Sequence, residues 1–215
     1  KKPLPRQKKP SPNSSDSMEV EPTILLPGSF NPIHKGHLSI AENVLRAMPE
    51  ATLWFVVSPQ NPLKSPSELA AERHRLQMAR IAVGSSPLRE RIAVCDVEFT
   101  LPKPSLTLRT LDVLQAKYPS RRFALLVGTD IVGEFGRWYR SGEILDRFEV
   151  LVYPRGTEPG SVSDERFTFL KDVPTIPVVA TDIRARIRRG ENPADDLPPG
   201  VWEYIKENGL YGYAR

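Results

Sequence analysis

An apolar run, Ile24-Leu25-Leu26, feeds directly into the stretch GSFNPIHKGH at 28–37, and that stretch leads into a segment with helical spacing. A buried strand, a short turn and a helix in immediate succession form one half of a strand–helix–strand unit. Such units stack side by side only as a parallel sheet with helices on its faces. The turn between them carries its own chemistry. Gly28 permits close approach of backbone, Pro32 stiffens the loop, and a helix opening near Gly36 aims N–H groups and a positive dipole end above the strand. His34 and His37, three residues apart, face one mouth. Imidazoles beside a helix N-terminus suit a phosphate, whose charge raises their pKa.

Two other readings of the pair stay open. Zinc favours histidines four apart on a helix and needs further ligands, and the chain offers only His74 and Cys95. A structural turn with incidental histidines is the second, and it leaves the flanking glycine and proline unexplained.

The rest of the chain repeats the alternation. Strands are predicted at 22–27, 51–58, within 91–99, at 122–127 and 148–153, with a last short one at 175–179. Helices are predicted over 36–48, 69–83, 105–117, 181–189 and 199–208, with Pro104 and Ser105 opening the third and Gly190 and Gly209 closing the last two. The 58–68 segment, SPQNPLKSPSE, reads as a loop. The expected fold class is α/β: Rossmann-like, doubly wound, a mainly parallel sheet with a small C-terminal helical segment over about 180–215. Ligands in such sheets bind beyond the carboxyl ends of the strands, where the GSFNPIHKGH loop, the 58–68 loop and Gly128-Thr129-Asp130 all lie.

Charge and cysteine content narrow the function classes. The net charge of +4 over 215 residues comes largely from Lys1, Lys2, Arg6, Lys8 and Lys9. Residues 1–20 read as a basic, disordered extension and 21–215 as a single domain. Without the tail the chain is near neutral, so no specific nucleic acid is expected. The lone cysteine suits a reducing cytoplasm, and no apolar run nears the ~18 residues of a membrane helix.

His34-Lys35-Gly36-His37 resembles the (T/H)xGH motif of the nucleotidylyltransferase superfamily. The wider pattern resembles bacterial nicotinate-nucleotide adenylyltransferases. SPQNPLK at 58–64, RLQMARIA at 75–82, PSLTLRTL at 104–111, GTD at 128–130 with Trp138 downstream, ATDIR at 180–184 and VWEYIKENGLY at 201–211 are similar to that family's ordered segments. The likeness spans residues 22–212.

The resemblance implies adenylyl transfer from ATP to nicotinate mononucleotide, with Mg²⁺ accompanying ATP and no protein metal site. It implies His34, His37 and Arg184 as catalytic residues. It implies ATP binding by Gly28, Ser29, Phe30, His34, His37, Gly128, Asp130, Thr181 and Arg184. It implies acceptor binding by Asn31, Lys64, Thr107, Arg109 and Trp138. Read from the residues alone, Asp130 equally caps a helix, Trp138 equally belongs to the core, and Arg184 equally lies on a solvated face. The chain departs from the family at Val179 and Ala180, where serines are usual, at Leu106, where an aromatic is usual, and at Arg109, where an acid is usual. Pantetheine-phosphate and nicotinamide mononucleotide adenylyltransferases are the neighbouring alternatives. A non-catalytic nucleotide sensor is the alternative from another class.

Overall fold

The computed structural model describes residues 21–60, 69–155, 164–170 and 173–214. The predicted tail at 1–20 and Lys64 lie outside them. In chain order the elements are β1 (Glu21–Gly28), α1 (Lys35–Ala47), β2 (Thr52–Val57), α2 (Glu72–Gly84), β3 (Ile92–Cys95), α3 (Thr107–Lys117), β4 (Arg121–Gly128), α4 (Thr129–Val132), α5 (Ser141–Arg147), β5 (Glu149–Tyr153), β6 (Phe167–Phe169), α6 (Ala180–Arg188) and α7 (Val201–Glu207). Short 3₁₀ turns join several of them.

All the strand pairings are parallel, in the order β3-β2-β1-β4-β5-β6. β1 lies mid-sheet; from it the chain winds outward through β2 and β3, then returns across β1 to β4 and winds the other way. The reversal leaves a crevice between the carboxyl ends of β1 and β4, at Gly28 and Gly128.

Alternation along the central strands fills both faces. Ile24 and Leu26 of β1 join α1, α2, α6 and α7 in one cluster, through Leu38, Leu45, Met78, Ile183, Ile187, Val201 and Ile205. Leu25 points the opposite way, with Leu125, Val127, Val150 and Val152, against Leu108, Leu111 and Leu114 of α3 and Ile144 of α5. Parallel strands covered on both faces read as unbroken apolar runs, which is why LLP, FVV and ALLV stand out in the sequence. The C-terminal helices share the sheet's main core rather than forming one of their own.

Two expectations are corrected and one is narrowed. Residues 175–179 form no strand: Pro174 and Pro177 lack the N–H groups a ladder needs. The sixth strand is Phe167–Phe169, whose three residues pair with Val150, Leu151 and Val152. The 91–99 segment is a four-residue strand followed by a 3₁₀ turn, Val97–Thr100. Finally, α3 starts at Thr107 behind an extended Leu106 that makes no side-chain cap, so Ser105 is not its cap.

Candidate nucleotide site at the switch point

The loop from Ser29 to His34 crosses the crevice and ends as the cap of α1. His34 is the N-cap, with extended backbone (φ −141°, ψ 171°), and its backbone N–H donates to Nδ1 of His37 at 3.3 Å. That bond folds His37 back over the helix start. The two imidazoles stack, centroids 3.7 Å apart and 29° from parallel. The edge of Phe30 meets His37 at 5.1 Å. His34 is 4% exposed. Burial, and then the positive charge of Arg155, pull its pKa from 6.5 down to about 3. The imidazole is therefore neutral before any anion arrives, where the sequence reading stressed a cationic ring.

Gly36 explains the spacing of the motif. A Cβ there would lie 3.0 Å from Nδ1 of His34 and 3.1 Å from the Ile176 carbonyl oxygen, so glycine lets the ring and the chain before α6 close on each other without crowding. Gly28 serves packing too: the Phe30 ring occupies the space a Cβ would take, 2.8 Å away. Phe30 is itself buried and left-handed (φ 45°).

Arg184 reaches this loop from the far end of the chain. It is 9% exposed, and its Nη1 donates to the Asn31 carbonyl at 2.9 Å. It is thus no solvated helix-face arginine. A second guanidinium grips the same loop from behind. Arg75 of α2, 1% exposed, donates to the carbonyl oxygens of Ser29, Ser58, Pro59 and Ala70. It ties the turn after β1 to the turn after β2. Asn31 adds a third tie, its Oδ1 accepting from the Ala70 N–H at 3.0 Å. Among the described residues, two buried polar atoms at the loop lack a partner: Ser29 Oγ and His34 Nδ1.

Across the crevice, Gly128 is the N-cap of α4 and no side chain caps that helix, so Asp130 is not a cap. Asp130 sits in the first turn, exposed, 3.7 Å from Nε of Arg155. The Thr129 hydroxyl bonds both the N–H and the carbonyl of Arg155. That fixes an arginine just past β5, beside Gly128 and within reach of His34. Trp138 is half-buried, and its ring stacks on Phe135 at 4.9 Å and 26°. It backs onto the core without being swallowed by it.

An early imidazole pair, a late guanidinium and the two central strand ends thus meet at one crevice. Residues 25–186 match the cytidylyltransferase-like family model. A probable nicotinate-nucleotide adenylyltransferase of Flavobacterium johnsoniae is 38% identical over 187 residues, covering 86% of this chain and 95% of that protein. Its counterpart in Salinibacter ruber is 37% identical, covering 87% and 96%. The chain belongs to this family. Solved structures carry the same fold: that of the Plasmodium falciparum nicotinic acid mononucleotide adenylyltransferase complexed with NaAD superposes with a TM-score of 0.71 at 18% identity, covering 90% of this chain and 98% of that one.

The remaining motif positions lie at the starts of two helices. Thr181 is exposed in the first turn of α6. The helix is capped by Val179, which offers no side-chain acceptor. Thr107 is half-buried at the start of α3, and Arg109 is exposed two residues on, within the same first turn. Arg75 and Arg155 escaped the sequence reading. The signal for Arg75 is a cation at the i, i+4, i+7 spacing of Ala79 and Ala82, on the buried stripe of α2. The signal for Arg155 is its place two residues beyond a parallel strand's carboxyl end.

Proposed function

We propose that this chain transfers the adenylyl group of ATP to nicotinate mononucleotide, releasing pyrophosphate and forming deamido-NAD, in NAD synthesis. The relatives' names support the reaction, and one observation supports its placement: Arg184 bonds the loop that carries His34 and His37. A triphosphate lying over that loop is then met from two sides.

The acceptor's phosphate oxygen is already anionic near pH 7, so it needs no general base. It attacks the α-phosphorus in line, a new P–O bond forms, and the bond to the bridging oxygen of the leaving pyrophosphate breaks. The protein positions the partners and stabilises charge. His34 serves as a neutral donor. Its Nδ1 edge is buried against Gly36, which leaves Nε2 to face phosphate. His37 donates beside it, and Arg184 and Arg155 supply positive charge from either side of the crevice. Trp138, backed by Phe135, offers a ring for the acceptor's pyridine to stack on.

Among the described residues no three His, Cys, Asp or Glu side chains cluster where they could hold a metal ion. A divalent ion would enter with ATP as part of the substrate and supply positive charge to its phosphates. The reaction belongs to the cytoplasm, where Cys95 stays a free thiol.

Pyrophosphate release in the presence of MgATP tests the reading, with nicotinate mononucleotide, nicotinamide mononucleotide and phosphopantetheine as rival acceptors. Nicotinate mononucleotide is expected to give the highest kcat/KM. Turnover on phosphopantetheine alone, or on none of the three, overturns it.

A further inference from the structure

Phe30 stands between the sheet core and the imidazole pair. Its ring lies nearly perpendicular to that of Phe55 in β2, centroids 5.2 Å apart, and nearly perpendicular to that of His37, centroids 5.1 Å apart. Phe30 is 2% exposed, and Phe55 behind it is fully buried. The tip of the Phe30 ring fills the notch left by the missing Cβ of Gly28, with Cζ 2.8 Å from where that carbon would stand. The backbone beneath it is left-handed (φ 45°), a region that suits glycine and strains a phenylalanine. Such strain persists only where the surroundings hold it, and it gathers at functional sites.

What the ring meets is an imidazole with one useful orientation. The backbone N–H of His34 can only donate, so Nδ1 of His37 accepts and the neutral ring carries its proton on Nε2. That leaves Nε2–H as the donor for phosphate. A flip about the Cβ–Cγ bond would put carbon in the place of each nitrogen, at the cap and at the mouth of the site alike. Stacking on His34 sets the plane of the ring, at 3.7 Å and 29°, but leaves it free to slide within that plane. Phe30, set crosswise, blocks the slide.

We propose that Phe30 is a positioning residue of the nucleotide site: anchored on Phe55 and in the notch at Gly28, its ring keeps His37 on its cap bond and so keeps Nε2–H available to phosphate. The inference rests on the adenylyl-transfer reading for the identity of the ligand, and on the ring contacts for everything else. No atom of the Phe30 side chain need touch the nucleotide.

Phe30→Leu tests it, because the position stays apolar and loses the flat ring; Phe30→Met, whose flexible chain fills irregular gaps, takes its place if the leucine variant folds poorly. The expected result is a kcat lowered roughly tenfold through lost orientation, with ATP affinity by calorimetry changed much less. In a His37→Ala background the same change should leave kcat where His37→Ala alone puts it; a loss of undiminished size there overturns the proposal. NMR of the protein carrying ¹⁵N-labelled histidine gives a readout independent of turnover. The chain has three histidines, and His37→Ala identifies the signals of His37. At a pH where the ring is neutral, its Nδ1 should resonate as an unprotonated nitrogen and its Nε2 as a protonated one in the parent. In Phe30→Leu both should move towards the average of the two tautomers. Unchanged His37 signals and parent kinetics, with only a lowered urea midpoint, mean that the ring merely fills the core, and they overturn the proposal. If the parent turns over none of the acceptors, adenylyl transfer to them fails, and the His37 spectrum of Phe30→Leu against that of the parent still decides the role of Phe30.

Discussion

Nη1 of Arg184 lies 2.9 Å from the carbonyl oxygen of Asn31, a bond spanning 153 positions of sequence. It fixes the guanidinium plane over the loop that carries both histidines. Arg184→Lys keeps the charge but loses the planar fork. We expect kcat/KM for ATP to fall about 10- to 100-fold, measured by steady-state kinetics, with the acceptor's KM little changed.

His37 is the more exposed member of the stacked pair, and its Nδ1 is occupied by the His34 N–H. Its other nitrogen is the one able to follow charge as it shifts onto phosphate. His37→Ala should lower kcat about 100-fold, while ATP affinity by calorimetry changes much less. A variant with unchanged kcat would remove His37 from that role.

Stability should depend on pH through His34. Its folded pKa, about 3, lies below the unfolded 6.5, so the unfolded chain binds the extra proton first. This contribution to stability is complete above pH 6.5 and is lost as the pH falls from 6.5 towards 3. At about 1.4 kcal/mol for each pH unit between the two values, the full loss is on the order of 5 kcal/mol. Urea midpoints measured across that range should show a steeper decline in the parent than in His34→Gln.

A methyl group at Gly36 would crowd its neighbours by a few tenths of an ångström. Backbone at Ile176 and the His34 ring both stand within 3.1 Å of it. Gly36→Ala should therefore push the imidazole off its partner and cost about 1–3 kcal/mol of stability. Activity should fall further than the unfolding midpoint alone accounts for, which assays at a temperature well below unfolding will show.

Arg75→Met tests the clamp behind the loops. It leaves the carbonyls of Ser29, Ser58, Pro59 and Ala70 without their buried donor. A loss of about 3 kcal/mol or more is expected, read from urea unfolding, together with raised KM values for both substrates because both loops are released.

Most of the frame was readable from residues. The parallel order follows from apolar runs at β1, β2, β4 and β5, each bounded by turn residues and separated by helical spacing. The histidine pair was legible because glycine and proline surround it. What stayed hidden did so for physical reasons. Phe167–Phe169 is too short and too mixed in polarity for a periodicity to show, and seven-residue α5 carries one buried side chain, Ile144. Arg75 stands beside Arg73 and near Arg80 in one arginine-rich helix, and only tertiary placement tells a buried clamp from its solvated neighbours. Val179 and Ala180 mark the limit in the other direction. The sequence shows that hydroxyls are missing at the start of α6, and the structure shows that helix capped by Val179 without a side-chain bond.

The wide separation between the imidazole loop and Arg184 has a bearing on biogenesis. During synthesis the first strand and its loop emerge long before the arginine that completes them, so a partly made chain holds an unfinished cradle. Tight retention of nucleotide on an ATP column would then sort finished molecules from arrested or clipped ones, with the ligand itself acting as the inspector.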